Sequence, residues 1–131
     1  MPREVQLLAW RDGQLGSGVF EFAFGSEGSG DGQLDCPSGL AVCEGRMYVA
    51  DEDNHRIAVH ELDGTFVSAF GSLGSGDGQF SHPMAVTAAG EYLFIADREN
   101  HRIVVTQRDG TFVRNFGGEG SATGSCRILG A

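Results

Sequence analysis

The sequence predicts an all-β fold assembled by repetition, and three observations predict it. The chain repeats itself at an offset of 46 residues: 24–69 superpose on 70–115 without a gap, and 22 of the 46 positions are identical. A period of that length marks one supersecondary unit per repeat. Within each unit the apolar residues come in short runs broken by turn signals, the pattern of several strands and not of helices. Glycine is abundant, 21 against 3 prolines, and is gathered in clusters such as Gly28-Ser29-Gly30-Asp31-Gly32 that mark loops.

Taken in chain order, Val5 to Trp10, a turn at Asp12-Gly13 and Val19 to Phe24 read as a hairpin. A Gly-rich linker, Gly25 to Cys36, leads into four predicted strands at 38–43, 46–50, 56–61 and 65–70. Glu44-Gly45 and Asp63-Gly64 are predicted to be tight hairpin turns, because Gly accepts positive φ and Asp tolerates it. The linker recurs as Gly71 to His82, and the strands recur at 84–89, 92–96, 102–107 and 111–116. Each unit is therefore expected to be a four-stranded antiparallel meander. Such a meander has two apolar faces and cannot cover both alone, so copies stack face to face, and radial stacking of four-stranded sheets is a β-propeller. The expectation is an incomplete β-propeller of about two and a half blades: a half blade over 1–24, blades over 25–70 and 71–116, and a truncated linker or tail over 117–131.

Composition narrows the partners. At 131 residues the chain is of single-domain size, and such a domain buries roughly two-thirds of its unfolded surface. Nine Lys+Arg against 18 Asp+Glu give a formal net charge of -9, which repels phosphate and argues against nucleic acid and anionic membranes. Cys36, Cys43 and Cys126 are odd in number and form no C-x-x-C pair, so neither a disulfide framework nor a zinc knuckle is expected. The opening ten residues hold too short an apolar run for a secretory signal, and no later run approaches the ~20 apolar residues of a membrane span. The expected location is cytoplasmic.

With the strands placed, Ala50-Asp51-x-x-Asn54-His55-Arg56-Ile57 and Ala96-Asp97-x-x-Asn100-His101-Arg102-Ile103 fall on the hairpins between second and third strands. These motifs, the Phe-Gly-Ser-x-Gly-Ser-Gly-Asp-Gly-Gln linker followed by Pro37 or Pro83, and the Asp-Gly-x-Phe turn resemble the NHL repeat family over about 19–124. The resemblance implies blades of a propeller that is commonly six-bladed. It implies use as a protein-interaction or RNA-binding module, as in tripartite-motif proteins, where it would be the substrate-recognition end of a ubiquitin ligase. It also implies a zinc-dependent lyase among peptide-amidating enzymes. Six units of this length need roughly 276 residues, so this chain departs from the family in length. A fragment is expected, completed by further blades or by a homo-oligomer.

The recurring polar residues admit two readings. Asp51, Asn54, His55 and Arg56, with Asp97, Asn100, His101 and Arg102, gather an acid, an imidazole and a base within six residues. In a tight hairpin, however, Asp and Asn cap backbone amides and Arg pairs with the preceding Asp, and presence in both units points to architecture. A zinc site needs three or four ligands, and His60 and His82 occur once each. The Gly-rich linkers lack the Lys-Ser/Thr of a phosphate loop and the acidic ligands of a calcium loop, leaving at most single-carboxylate contacts at Asp31 or Asp77. No catalytic, cofactor or metal site is therefore expected. In a propeller the linkers and the second-to-third-strand turns share one rim, which sets Glu27, Asp31, Asp35, Asp51, Glu52, Asp53, Asp77, Asp97 and Glu99 against Arg56, Arg98 and Arg102. The expected partner is a basic or polar protein segment, docking on a face made by Asp31, Asp51, Asp53, Asn54, His55, Arg56, Asp77, Asp97, Asn100, His101 and Arg102.

Overall fold

A computed structural model describes residues 23–118. The predicted half blade and most of the predicted tail lie outside the described residues. Within them stand eight strands, β1 (Pro37–Cys43), β2 (Arg46–Asp51), β3 (Arg56–Glu61), β4 (Phe66–Phe70), β5 (Pro83–Ala89), β6 (Tyr92–Asp97), β7 (Arg102–Gln107) and β8 (Phe112–Gly117). They form two four-stranded antiparallel sheets, β1-β2-β3-β4 and β5-β6-β7-β8, one for each sequence unit. The fold is all-β, and the two blades do not close into a ring. The described residues contain no helix long and apolar enough to cross a membrane.

The central strands of the first blade are apolar on both faces because that blade is covered on both. In β2, Met47, Tyr48, Val49 and Ala50 are all buried, although strand geometry sends them alternately to opposite sides. Tyr48, Ala50, Ile57 and Val59 face the second blade and pack with Phe80, Val86, Leu93, Ile95 and Val104. Val49 and Ala58 face the other way, with Leu34 and Leu40. The blades come closest at their first strands: a Cβ on Gly39 would lie 2.8 Å from the Ala85 Cα, so only glycine fits this approach. Ser38 Oγ bridges the same seam by donating to the Pro83 carbonyl at 3.3 Å.

Two of the turns show how local sequence sets geometry. At Glu44-Gly45 both central residues take positive φ, 48° and 78°, the type I′ pattern. The second blade reverses the order to Gly90-Glu91, and only Gly90 has positive φ (61°), as a II′ turn requires. The loop at Asp63-Gly64 is wider than the predicted tight turn. The Asp63 carboxylate accepts the Thr65 N–H at 2.9 Å, the Glu61 N–H donates to the Thr65 carbonyl at 2.8 Å, and β4 begins only at Phe66. A register shift between Val59 and His60 accommodates the extra residue.

The linker rim as a candidate functional site

The β2–β3 and β6–β7 turns begin with aspartate and end with arginine, which the register sets opposite one another: Asp51 with Arg56, Asp97 with Arg102. Between them runs a single 3₁₀ turn, Glu52–Asn54 or Arg98–Asn100, stopped by a histidine in the left-handed region, His55 at φ 55° and His101 at φ 54°. Asp51 is fully buried and uses both oxygens. Its Oδ1 accepts the Asp35 backbone N–H at 2.7 Å, and its Oδ2 accepts from Asn54 Nδ2 at 3.0 Å and Arg56 Nε at 2.7 Å.

The remaining donors of this cluster reach into the Gly-rich linker. Asn54 Nδ2 donates to the Gly28 carbonyl at 2.8 Å, and the Arg56 guanidinium donates to the carbonyls of Ser29 (3.1 Å), Gly30 (3.2 Å) and Gln33 (2.8 Å). The second blade repeats the arrangement. Asp97 accepts from Ser81 N, Asn100 and Arg102, and Arg102 holds the carbonyls of Ser75, Gly76 and Gln79 at 2.9, 3.1 and 2.9 Å. A buried ion pair stabilises only when its other hydrogen-bonding groups are met, and the loop carbonyls meet them here. The linker is thereby pinned to its own blade, with Leu34 or Phe80 buried as its anchor. Asp51, Asn54, Arg56, Asp97, Asn100 and Arg102 therefore build the rim from within.

Other predicted face residues stand outside this network. Asp31, Asp53 and Asp77 are exposed, as are Glu27, Arg98 and Glu99. The carboxylates raise the local negative potential. The Cys36 thiol is pushed up first by burial and then by the charges of Asp53, Glu52 and Asp35. His55 turns toward the neighbouring blade: its Nδ1 accepts the His82 backbone N–H at 3.1 Å, and the two rings meet edge-on with centroids 4.5 Å apart. Arg98 crosses the same seam to Glu52 Oε2 at 2.9 Å. Neither contact was legible from motifs alone. One signal was available in the sequence: Glu52 and Arg98 occupy the same repeat position with opposite charge, so stacking two copies brings them together.

Pinned Gly-rich linkers on stacked four-stranded meanders define a blade-repeat module of the propeller class. Residues 34–59 match the NHL repeat family. The chain carries an NHL repeat there, and its second unit copies it at the 46-residue offset. Protein lin-41 of Caenorhabditis elegans is 50% identical over 42 residues, which is 31% of this chain and 4% of that protein. Among solved structures, a Bacteroides fragilis NCTC 9343 protein described as exported is similar with a TM-score of 0.57 at 20% identity. The match covers 72% of this chain and 28% of that one, and it concerns the fold alone. The chain thus spans a small part of the length of both relatives.

Proposed function

We propose that this chain is a protein-interaction scaffold whose docking face is the linker rim. The observation that carries this reading is the division of labour among the rim residues. The repeated Asp, Asn and Arg side chains are turned inward to hold the linkers, while Asp31, Asp53, Asp77 and Glu99 remain exposed. Of the three rim arginines, Arg56 and Arg102 are engaged by loop carbonyls, so the solvent-facing charge is acidic. Such a surface favours a Lys/Arg-bearing protein segment over RNA.

The test is a fluorescence-anisotropy titration with a Lys/Arg-rich peptide and, separately, with single-stranded RNA. The peptide is expected to bind with an affinity that weakens as salt rises, and Asp31→Lys with Asp77→Lys is expected to weaken it roughly tenfold, since rim charges act chiefly through long-range attraction. Peptide binding indifferent to both substitutions, or tight salt-sensitive binding of RNA, would overturn the reading.

A further inference from the structure

We infer that Glu52, Asp53 and His82 form a binding site for a zinc-class divalent cation at the seam between the two blades. His82 Nδ1 lies 3.3 Å from Asp53 Oδ1 and 3.8 Å from Glu52 Oε2, and one ligand atom from each of the three residues falls within 4.8 Å of the others. Tetrahedral zinc with bonds of about 2.0–2.1 Å holds its ligand atoms about 3.3–3.5 Å apart, so the two His82 distances are within about half an ångström of that spacing, while the carboxylates, within 4.8 Å of each other, close by up to about 1.5 Å. Imidazole and carboxylate are both ordinary ligands for that metal, and mixed nitrogen and oxygen donors select it over calcium or magnesium.

Two further observations converge on the same atoms. The His82 Nδ1 is itself buried and makes no hydrogen bond, although two carboxylates face it. A ring nitrogen facing two anionic oxygens is satisfied either by a proton on Nδ1 or by a cation between them, and titration with cobalt separates the two. The three residues are also among the 24 of 46 positions at which the two units differ, although Glu99 keeps a carboxylate at the position of Asp53. The second blade has Arg98 and Glu99 at the positions of Glu52 and Asp53, and the preceding linker has Cys36 at the position of His82. Blade architecture therefore does not require them, in contrast to the copied Asp, Asn and Arg. The ring is nonetheless held in place, because His82 sits at φ 56° with its N–H donated to His55. Arg98 engages Glu52 at 2.9 Å, the arginine 45% and the glutamate 12% exposed, so a metal ion competes with a half-buried ion pair for Glu52 and draws first on Asp53 and His82. Asp53 and His82, 44% and 34% exposed, leave the remaining coordination positions open to water.

The experiment titrates the full chain with Zn²⁺ by calorimetry and with Co²⁺ by visible absorption. One ion per chain is expected, with a tetrahedral cobalt spectrum lacking thiolate charge-transfer bands, and with a metal-dependent rise in Tm. His82→Ala and Asp53→Asn are each expected to weaken binding at least tenfold, whereas His101→Ala is expected to leave it unchanged. Asp53 is exposed, so its substitution tests the site without threatening the fold. Three results would each sink the inference: no saturable binding, affinity indifferent to Asp53→Asn, or a cobalt spectrum showing cysteine ligation. A Tm that responds to pH but not to Co²⁺ would reduce the cluster to a histidine ion pair and overturn it equally.

Discussion

Arg102 shows how much of the fold can rest on one side chain. Its guanidinium bonds to Asp97 and to three carbonyls of the linker, and Asp97 is fully buried. Removing the acid strands a buried cation, so Asp97→Ala is expected to cost about 3–5 kcal/mol in urea unfolding, while Asp31→Asn on the exposed linker stays within about 0.5 kcal/mol. His60 carries the pH dependence. It is buried, its Nδ1 donates to the Gly64 carbonyl, and burial holds its pKa below the ordinary histidine value. The unfolded chain therefore takes up a proton that the folded chain refuses. Stability is complete above the unfolded pKa, near 6.5, and is lost as pH falls below it. Thermal melts should show Tm declining from pH 7 toward 5, and His60→Thr, the residue found at the equivalent position 106, should flatten that decline. The sequence alone made the pairing of Asp51 with Arg56 legible, because an acid and a base at the two ends of a hairpin pair across it, whereas Asn54, expected to cap a backbone amide, instead donates to Asp51 and to the Gly28 carbonyl. It did not show that Arg56 would grip linker carbonyls more than 20 residues away in the chain, nor that His82 would meet Glu52 and Asp53. Both depend on how loops return through space.

At the scale of elements, glycine separates backbone strain from packing. Gly45 has φ 78° and nothing within 4 Å of a would-be Cβ, whereas Gly71 has φ 104° and a Cβ there would stand 2.5 Å from the Phe80 ring. Gly45→Ala meets only the backbone penalty of about 1–2 kcal/mol. Gly71→Ala adds a clash with a fully buried ring, and its total is expected to exceed that of Gly45→Ala by about 1–3 kcal/mol in denaturant melts. Equal losses would mean that the Phe80 ring moves aside freely. The eight strands were legible because each apolar run is short, bounded by turn residues and copied once, and the observed limits differ from the predicted ones by a residue or so. The Asp63-Gly64 loop was not, because an Asp-Gly pair serves a two-residue turn and a bulged loop alike. The Asp63 bond to the Thr65 N–H decides between them, and it appears only once the strands are in register.

The whole molecule is decided by what each blade does with its outward face. In the first blade Tyr48, Ala50, Ile57 and Phe70 are covered by the second. The repeat places Phe94, Ala96, Ile103 and Phe116 at the same positions of the second blade, and pairing confirms the shared face, Ile103 opposite Phe116 as Ile57 is opposite Phe70. There Phe116 is 45% exposed and Val113 41%. A repeat face that meets water is normally polar, and among the described residues this one keeps its aromatic and branched side chains. Phe70 and Phe116 are thus the same residue of the same repeat in two environments. Phe70→Ala should cost about 3 kcal/mol or more, as for a packed aromatic, and Phe116→Ala less than about 1 kcal/mol. In solution the uncovered face is expected to drive self-association that grows with protein concentration. Because the net charge of -9 opposes contact between copies, added salt should strengthen it. Sedimentation velocity across a concentration series checks this: Phe116→Asp should shift the distribution toward monomer at every salt concentration while leaving the unfolding midpoint nearly unchanged. Self-association that persists unaltered in that variant would place the contact elsewhere on the blades, and a wild-type chain that stays monomeric throughout would mean that the second blade's face is already covered.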